Sequence, residues 1–198
     1  MRYSSIKVFV RRKLEIEHIK VLEHIVDVEN VMSYIDDVRG DDLFICLGTT
    51  KKKAGTISRY EELDRDMPFN IAKAAKDKGA KKIAVVSSLG ANSKSRNYYT
   101  RIKGEMEEKI ISLQMSRTVI ARPSMLLGNR KEIRFAEAVG KVFMKLFSFV
   151  LFGRLKVFRA IHGRAVAVAM IDLINRDSTK TLYQSDELAS IAANHKNE

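Results

Sequence analysis

The sequence predicts an α/β protein in which a doubly wound parallel sheet carries helices on both faces. Short runs rich in β-branched residues alternate with longer stretches of helical periodicity, which is the pattern that such a fold produces. The chain has 198 residues, 45% of them apolar, with two prolines, ten glycines and no internal repeat. This composition supplies one core and shows no linker, so we expect a single domain over residues 1–198.

Five strands are predicted in chain order, at Ile6–Val10, Ile25–Val26, Leu43–Leu47, Ile83–Ser87 and Thr118–Ala121. Helical periodicity predicts helices at Val28–Val38, Tyr60–Lys78, Tyr98–Leu113, Ile133–Phe152 and Gly163–Asn175. Gly79 is a stop signal for the second helix, and Pro68 inside it predicts either a kink or a start with Asp66 as the cap. We expect residues 1–122 to form the part that binds a cofactor and residues 123–198 to form the substrate side, with ligands at the carboxyl ends of the strands.

Charge and cysteine content limit the classes of function. Lys and Arg total 36 against 24 Asp and Glu, and the net charge of +12 favours an anionic partner such as a nucleotide, a nucleic acid or an acidic membrane. No nucleic-acid-binding motif accompanies the charge, so a nucleic acid is not expected. Cys46 is the only cysteine, which excludes an intramolecular disulfide and favours a reducing, cytoplasmic compartment. The four histidines lack ligand spacing, and we expect no metal site.

Two segments at strand ends carry candidate nucleotide-binding residues. Arg11 and Arg12 follow the first strand, where a dinucleotide-binding fold reads the ribose 2′ position, and arginines there suit the 2′-phosphate of NADP. A solvated basic strand end explains them equally well. Gly48 and Thr49 follow Leu47 at the end of the third strand, where a glycine lets the backbone approach a ligand closely.

A third group of residues predicts proton-transfer chemistry. Ser87 and Ser88 end a strand, and Tyr99 and Lys103 lie four residues apart on one face of a predicted helix. In hydride transfer to a carbonyl, a tyrosine donates the proton, an ammonium lowers its pKa and a serine hydroxyl holds the substrate oxygen. The Tyr-x-x-x-Lys spacing also arises by chance, and Tyr99 opens an apolar stripe that would pack on the sheet. Both interpretations hold if only the first turn of the helix reaches the cleft.

Six segments together resemble the atypical short-chain dehydrogenase/reductases of the Tat-interacting-protein-like group, which are NAD(P)-binding Rossmann proteins related to the NmrA-like and epimerase families. They are VRR at Val10–Arg12, VD at Val26–Asp27, CLGTTKKKAG from Cys46, VSSLGANSKS from Val86, YTRIKGEMEE from Tyr99 and ARPSMLLGNR from Ala121. The resemblance covers about residues 6–175. It implies an oxidoreductase that binds NADP(H) rather than NAD(H), acts on a small-molecule carbonyl or alcohol, and uses Ser88, Tyr99 and Lys103 as its catalytic set.

The resemblance also implies cofactor contacts at Arg11, Arg12, Leu47, Gly48, Leu126 and Arg134. We add four candidates at the same strand ends, namely Asp27, Thr49, Ser87 and Arg122. For Arg122 and Arg134 a surface role is the simpler interpretation, because exposed arginines are ordinary.

One departure from the family pattern is that the chain begins just before the second strand, without the first strand and the Gly-rich turn that cradles the pyrophosphate. We expect one of three explanations: a start codon placed too late, a truncated gene, or a short form that compensates by forming a homodimer. An alternative function is a non-catalytic module that senses a nucleotide or binds a protein. Peripheral membrane contact is a third possibility, through the apolar run Leu146–Phe152 with Phe143 and the basic residues around it, Lys141, Lys145, Arg154, Lys156 and Arg159.

Overall fold

The computed structural model describes residues 2–127 and 153–195. In these residues the strands are β1 (Ile6–Val10), β2 (Val21–Ile25), β3 (Asp42–Ile45), β4 (Lys82–Val86), β5 (Arg117–Arg122), β6 (Leu126–Leu127), β7 (Ile161–His162) and β8 (Leu182–Gln184). All of their pairings are parallel. The predicted α/β fold with a parallel sheet is therefore confirmed, and β1 has the bounds that its sequence predicts.

The strands fall into separate ladders. One sheet has the order β3-β4-β5-β8, β1 pairs only with β2 in a second sheet, and β6 pairs with β7 in a third. Within the described ranges no ladder joins β1 to β3, and the break falls where a doubly wound nucleotide-binding sheet has its central strand. The side chain of Tyr3 crosses this break, because its hydroxyl donates to Oδ2 of Asp42 over 3.0 Å. The two sheets therefore stay side by side through side chains.

The helices in the described residues are α1 (Lys51–Ala54), α2 (Ile57–Glu61), α3 (Met67–Asp77), α4 (Tyr98–Ser112), α5 (Gly163–Ile174) and α6 (Ser185–Asn194). The predicted helix at 28–38 is wrong: only two 3-10 turns form there, Val31–Ser33 and Ile35–Asp37. Tyr34 and Val38 are the only fully buried residues of this segment, and two short 3-10 turns are enough to place both side chains in the core. Strands β6, β7 and β8 and helices α1 and α6 were not predicted, and β2 lies at Val21–Ile25, N-terminal to the predicted position at Ile25–Val26.

The second predicted helix is continued through Pro68 by a π-helical turn. This turn, Glu62–Asp66, joins α2 to α3, and Pro68 lies in the first turn of α3. Proline lacks an N–H and its ring displaces the preceding turn, so a wider turn at this point accommodates it. Of the two alternatives predicted at Pro68, the start capped by Asp66 does not form: Asp66 precedes α3, but its backbone is helical and its side chain makes no capping hydrogen bond. Gly79 ends α3 with a φ of +96°, as predicted.

The core has one layer on each face of the larger sheet. On one face Ile83 and Val85 of β4 pack with α3 and α4. On the other face Ala84 packs with α5 and α6. Alternate residues of one strand thus face opposite helical layers, as expected for a strand buried on both sides.

Several predicted features lie outside the described residues. They are the helix at 133–152, Arg134, and the membrane-contact candidates Lys141, Phe143, Lys145 and 146–152, together with the side chain of Arg154. In the part of the chain that the structure describes, no helix is both long enough and apolar enough to cross a membrane.

Candidate functional site

A cleft of about 600 Å³ opens at the carboxyl ends of β3 and β4. This is the edge at which open parallel sheets bind their ligands. Its walls come from the segment after β3, the π-helical turn, the end of β4 and the first turns of α4. The lining residues are Cys46, Leu47, Gly48, Thr49, Thr50, Lys51, Tyr60, Asp64, Val86, Ser87, Asn97, Tyr98, Tyr99, Lys103 and Leu126.

Helix α4 presents Tyr99 and Lys103 to this cleft. Asn97 caps the helix, because its side chain accepts from the backbone N–H of Thr100 over 3.2 Å. Tyr99 is 45% exposed, whereas Ile102 and Met106 are buried against the sheet. The apolar stripe and the cleft-facing first turn therefore coexist on the same helix, as predicted.

The ammonium of Lys103 forms a buried ion pair with Asp64 of the π-helical turn. Nζ lies 2.9 Å from Oδ2, and the two side chains are only 5% and 1% exposed. The other carboxylate oxygen, Oδ1, accepts from the backbone N–H of Thr49 over 2.6 Å. One acidic side chain thus joins the lysine of α4 to the loop after β3.

Gly48 lies directly against this ion pair. A β-carbon at this position would sit 3.7 Å from Nζ of Lys103 and 4.0 Å from both carboxylate oxygens of Asp64. These are ordinary van der Waals distances, so a β-carbon would fit here without steric overlap. A larger side chain at this position would pack over the buried pair on the side of the cleft.

Two further tyrosines stand beside Tyr99 with different environments. Tyr60 is almost fully buried, and burial together with the negative charge of Asp64 raises its pKa. The hydroxyl of Tyr98 lies within hydrogen-bond distance of two acceptors. These are the backbone oxygen of Ile57, at 3.1 Å, and Oε1 of Glu61, at 3.0 Å. Burial and the hydrogen bond to Glu61 raise the pKa of Tyr98. Both therefore stay protonated at neutral pH.

Ser87 and Arg122, two predicted cofactor contacts, meet at a buried carboxylate. Glu107 of α4 accepts from the Ser87 hydroxyl and pairs with Arg122, whose Nε lies 2.9 Å from Oε1. Ser87 lines the cleft, but Arg122 is not among the lining residues. Both side chains are thus engaged in holding α4 against the ends of β4 and β5.

Ser88 is half-buried next to Ser87, and it is not among the residues that line the cleft. Its hydroxyl has only a long contact of 3.4 Å to the backbone oxygen of Leu89. Unlike Ser87, it is therefore not committed to a charged group.

The other predicted contacts fall into two groups, one at the cleft and one at the smaller sheet of β1 and β2. Leu47, Gly48, Thr49 and Leu126 line the cleft. Arg11 and Arg12 are exposed at the end of β1, and Asp27 is exposed beyond β2. None of these last three lines the cleft described above.

Sequence reasoning missed Asp64, although a signal for it exists. The buried positions of the helical run are Tyr60, Leu63, Asp64, Met67, Pro68, Ile71, Ala72 and Ala75. This is the three- and four-residue spacing of an apolar face. A carboxylate in the middle of that face must have a partner, so its position alone points to a buried cation.

The chain matches no protein-family model, but it is similar to several curated proteins. It is 47% identical to FMP52 of Emericella nidulans over 97 residues, and this match covers 49% of this chain and 42% of that protein. FMP52 of Eremothecium gossypii is 31% identical over 194 residues, with 96% and 86% covered. HTATIP2 of Rattus norvegicus is 36% identical over 145 residues, with 71% and 60% covered. The match therefore spans less than half of the first of these relatives.

The names of these fungal relatives correct one prediction. FMP52 is named as a mitochondrial protein in Emericella nidulans, Candida albicans and Eremothecium gossypii. The expected cytoplasmic location is therefore contradicted. The inference from a single cysteine was too coarse, since it separates reducing from oxidising surroundings and does not identify an organelle.

Solved structures with the same fold hold nicotinamide dinucleotides. MoeE5 in complex with UDP-glucose and NAD has a TM-score of 0.64 at 12% identity, covering 98% of this chain and 74% of that chain. RMD from Pseudomonas aeruginosa complexed with NADPH has a TM-score of 0.58 at 17% identity, covering 84% and 69%. At these identities the likeness shows the fold alone.

Proposed function

Since the chain belongs to the family of the FMP52 proteins and HTATIP2, an atypical group of short-chain dehydrogenase/reductases, we propose that it is an oxidoreductase of that type. It binds a nicotinamide dinucleotide, with NADP(H) preferred over NAD(H), and interconverts a small carbonyl compound and its alcohol. The mitochondrial names of the relatives extend the proposal to a mitochondrial location.

The observation that carries this proposal is that Tyr99 and Lys103 line the same cleft as the Gly48 loop. The residues present fit a dinucleotide at this place. Gly48 leaves the floor of the cleft open where a side chain would cover it. Lys51 adds a cation to the wall, which suits a phosphate.

The chemistry follows from which polar groups are already committed. Tyr60 is buried, and Tyr98 donates to its neighbours, so Tyr99 is the tyrosine whose hydroxyl is available to a substrate. When bound, the nicotinamide supplies or accepts the hydride. In the direction of reduction Tyr99 gives its proton to the carbonyl oxygen, and the nearby ammonium of Lys103 stabilises the phenolate that remains.

Ser88 lies next to the cleft-lining Ser87 but does not itself line the cleft, so to complete this proposed set its hydroxyl must turn toward the substrate oxygen. Ser87 donates to Glu107 and lies in a structural cluster, whereas the hydroxyl of Ser88 is uncommitted. This favours Ser88 over its neighbour. Arg11 and Arg12, exposed at the end of β1, would bind the 2′-phosphate that distinguishes NADP(H).

The first experiment is a titration with NADPH and with NADH, followed by nicotinamide fluorescence. Turnover is then measured with a panel of aldehydes and ketones by the loss of nicotinamide absorbance. We expect Tyr99→Phe to lose about a hundredfold or more of the turnover while it still binds NADPH. Tyr98→Phe is the matched control, because it removes a neighbouring hydroxyl that is committed to Glu61. Equal turnover of the Tyr99→Phe protein and the wild type would refute the assignment.

A second candidate is a binding module that responds to a nucleotide without chemistry. The commitment of Ser87 to Glu107 favours it, because the strand-end serine that lines the cleft then has its hydroxyl engaged by a carboxylate, whereas Ser88 does not line the cleft. This function predicts binding of NADPH with no consumption by any member of the panel. Consumption that depends on Tyr99 excludes it.

A further inference from the structure

The buried carboxylate of Asp64 has two direct partners in the cleft, and its charge also helps to raise the pKa of the neighbouring Tyr60. It has no other role in the proposed chemistry. Its Oδ2 lies 2.9 Å from Nζ of Lys103, and its Oδ1 accepts from the N–H of Thr49. The first partner comes from α4 and the second from the loop after β3. The side chain therefore fixes the distance between the proposed proton-transfer residues and the loop that faces the dinucleotide.

The burial of this pair makes its geometry strict. The side chains of Asp64 and Lys103 are 1% and 5% exposed, and Asp64 is the only acidic partner of Lys103 among the described residues. Removal of one member of a buried ion pair leaves an uncompensated charge, which moves toward water. Without Asp64 the ammonium would therefore leave the floor of the cleft.

The position of Asp64 in the chain is also unusual. It lies in the π-helical turn Glu62–Asp66, within a face that is otherwise apolar. Such turns shift the direction of side chains relative to an α-helix and occur frequently at functional sites. Here the turn brings a carboxylate under Gly48, where a β-carbon would contact both members of the pair.

We propose that Asp64 is a positioning residue of this site, which holds the ammonium of Lys103 and the Thr49 loop in the arrangement that binds the dinucleotide. It acts through these two groups and does not itself touch the substrate. This inference rests on the proposed function, because its ligand is the same nicotinamide dinucleotide.

The two contacts are separated by two substitutions. Asp64→Asn keeps an oxygen for the N–H of Thr49 but removes the charge that pairs with Lys103. We expect it to raise the Kd for NADPH about tenfold. Asp64→Ala removes both contacts and is expected to raise the Kd further. Asp66→Asn is the matched control, since Asp66 ends the same turn and pairs with Arg65 outside the cleft; its Kd should stay within about twofold of the wild type.

A double-mutant cycle tests whether Asp64 acts through Lys103. We expect Lys103→Met to weaken NADPH binding and Asp64→Asn/Lys103→Met to bind no more weakly than Lys103→Met alone, because the positioned group is already gone. The double variant also carries no unpaired buried charge, so it should stay folded if Asp64→Asn alone does not. Additive losses in the cycle would overturn the inference.

The failure of this inference differs from the failure of the proposed function. If the folded wild type binds neither NADPH nor NADH, the proposed function is refuted, and the positioning role falls with it. If the wild type binds NADPH and Asp64→Asn binds it equally well, only the role of Asp64 is overturned. A thermal-unfolding cycle of the same variants without ligand detects a purely structural pair, which would lower Tm and leave the Kd unchanged.

Discussion

Glu107 and Arg122 form an ion pair that ties α4 to the end of β5, with Nε of the arginine 2.9 Å from Oε1 of the glutamate. The side chain of Glu107 is 3% exposed and that of Arg122 is 17% exposed. The Ser87 hydroxyl donates to the same carboxylate. The cluster therefore holds together three elements that meet below the candidate cleft.

Substitution of Glu107 should destabilise the fold. We expect Glu107→Gln to lower the free energy of unfolding by about 2 kcal/mol, because Arg122 then keeps a largely buried charge without an anion. For a chain of this size the corresponding drop in Tm is about 4 to 8 °C. Glu108→Gln is the control, since the neighbouring glutamate is exposed and accepts from Ser93. Equal Tm values for the two variants would contradict the structural role.

Gly104 allows the loop after β4 to lie against α4. A β-carbon at this position would come 2.1 Å from the backbone nitrogen of Ser93 and 2.3 Å from the carbonyl carbon of Asn92. Because these contacts are with backbone, Gly104→Ala should cost about 2 to 3 kcal/mol in the free energy of unfolding. Gly40→Ala, whose β-carbon would have its nearest neighbour at 3.9 Å, is the matched control. Chemical denaturation measures both.

The choice between NADPH and NADH should depend on Arg11 and Arg12. Replacement of both by serine removes two charged donors from the end of β1, so we expect the Kd for NADPH to rise about tenfold or more. The Kd for NADH should change less than about twofold. A parallel loss of affinity for both dinucleotides would show that these arginines do not read the 2′-phosphate.

The contribution of Asp66 to stability should depend on pH. The hydrogen bonds from Arg65 lower the pKa of Asp66 below its usual range. Its folded-state pKa therefore lies below its unfolded-state value of about 3.9, so its stabilisation is present at neutral pH and lost as the pH falls through the folded-state value. We expect Asp66→Asn to cost about 1 kcal/mol or less at pH 7, because the side chain is 30% exposed. Denaturation curves between about pH 5 and about pH 2 should show this difference disappear.

Cys46 provides a chemical probe of the cleft because it is the only cysteine. It is exposed and lines the cleft, yet the atoms packed around its thiol raise its pKa. We expect iodoacetamide to modify it more slowly than a free cysteine at pH 7, with a rate that rises with pH. NADPH should slow the reaction further if it occupies the cleft. An unchanged rate at a saturating concentration of a bound dinucleotide would place that ligand elsewhere.

The order of the elements was predictable where side-chain pattern decides structure. Strands β4 and β5 contain continuous apolar runs, β1 is apolar apart from Lys7, and α4 has a regular apolar stripe, so local pattern identified all of them. The segment at 28–38 has a similar pattern but buries little, and it folds only into 3-10 turns. Strand β8 is too short to give a pattern, and its formation depends on the edge that β5 offers.

The candidate site was predictable only in part, for a related reason. Gly48 was identified because it follows a recognisable strand, and Tyr99 and Lys103 because they lie four residues apart on one face of a predicted helix. Whether a polar group is free or committed depends on contacts between elements that are distant in sequence. The engagement of Ser87 by Glu107 and of Lys103 by Asp64 is therefore visible only in the fold.

The separation of β1 and β2 from the larger sheet implies that the protein does not open as one unit. Strands β1 and β2 contain no fully buried residue, whereas β4 and β5 are buried along most of their length. Regions with little buried apolar surface exchange between closed and open states at a lower free energy than the core. A ligand that touches the arginines of β1 as well as the cleft would bind only the closed state and so would stabilise the smaller sheet most. For such a ligand, the binding affinity and the protection of β1 and β2 from local opening would both report the same equilibrium between the closed and open states.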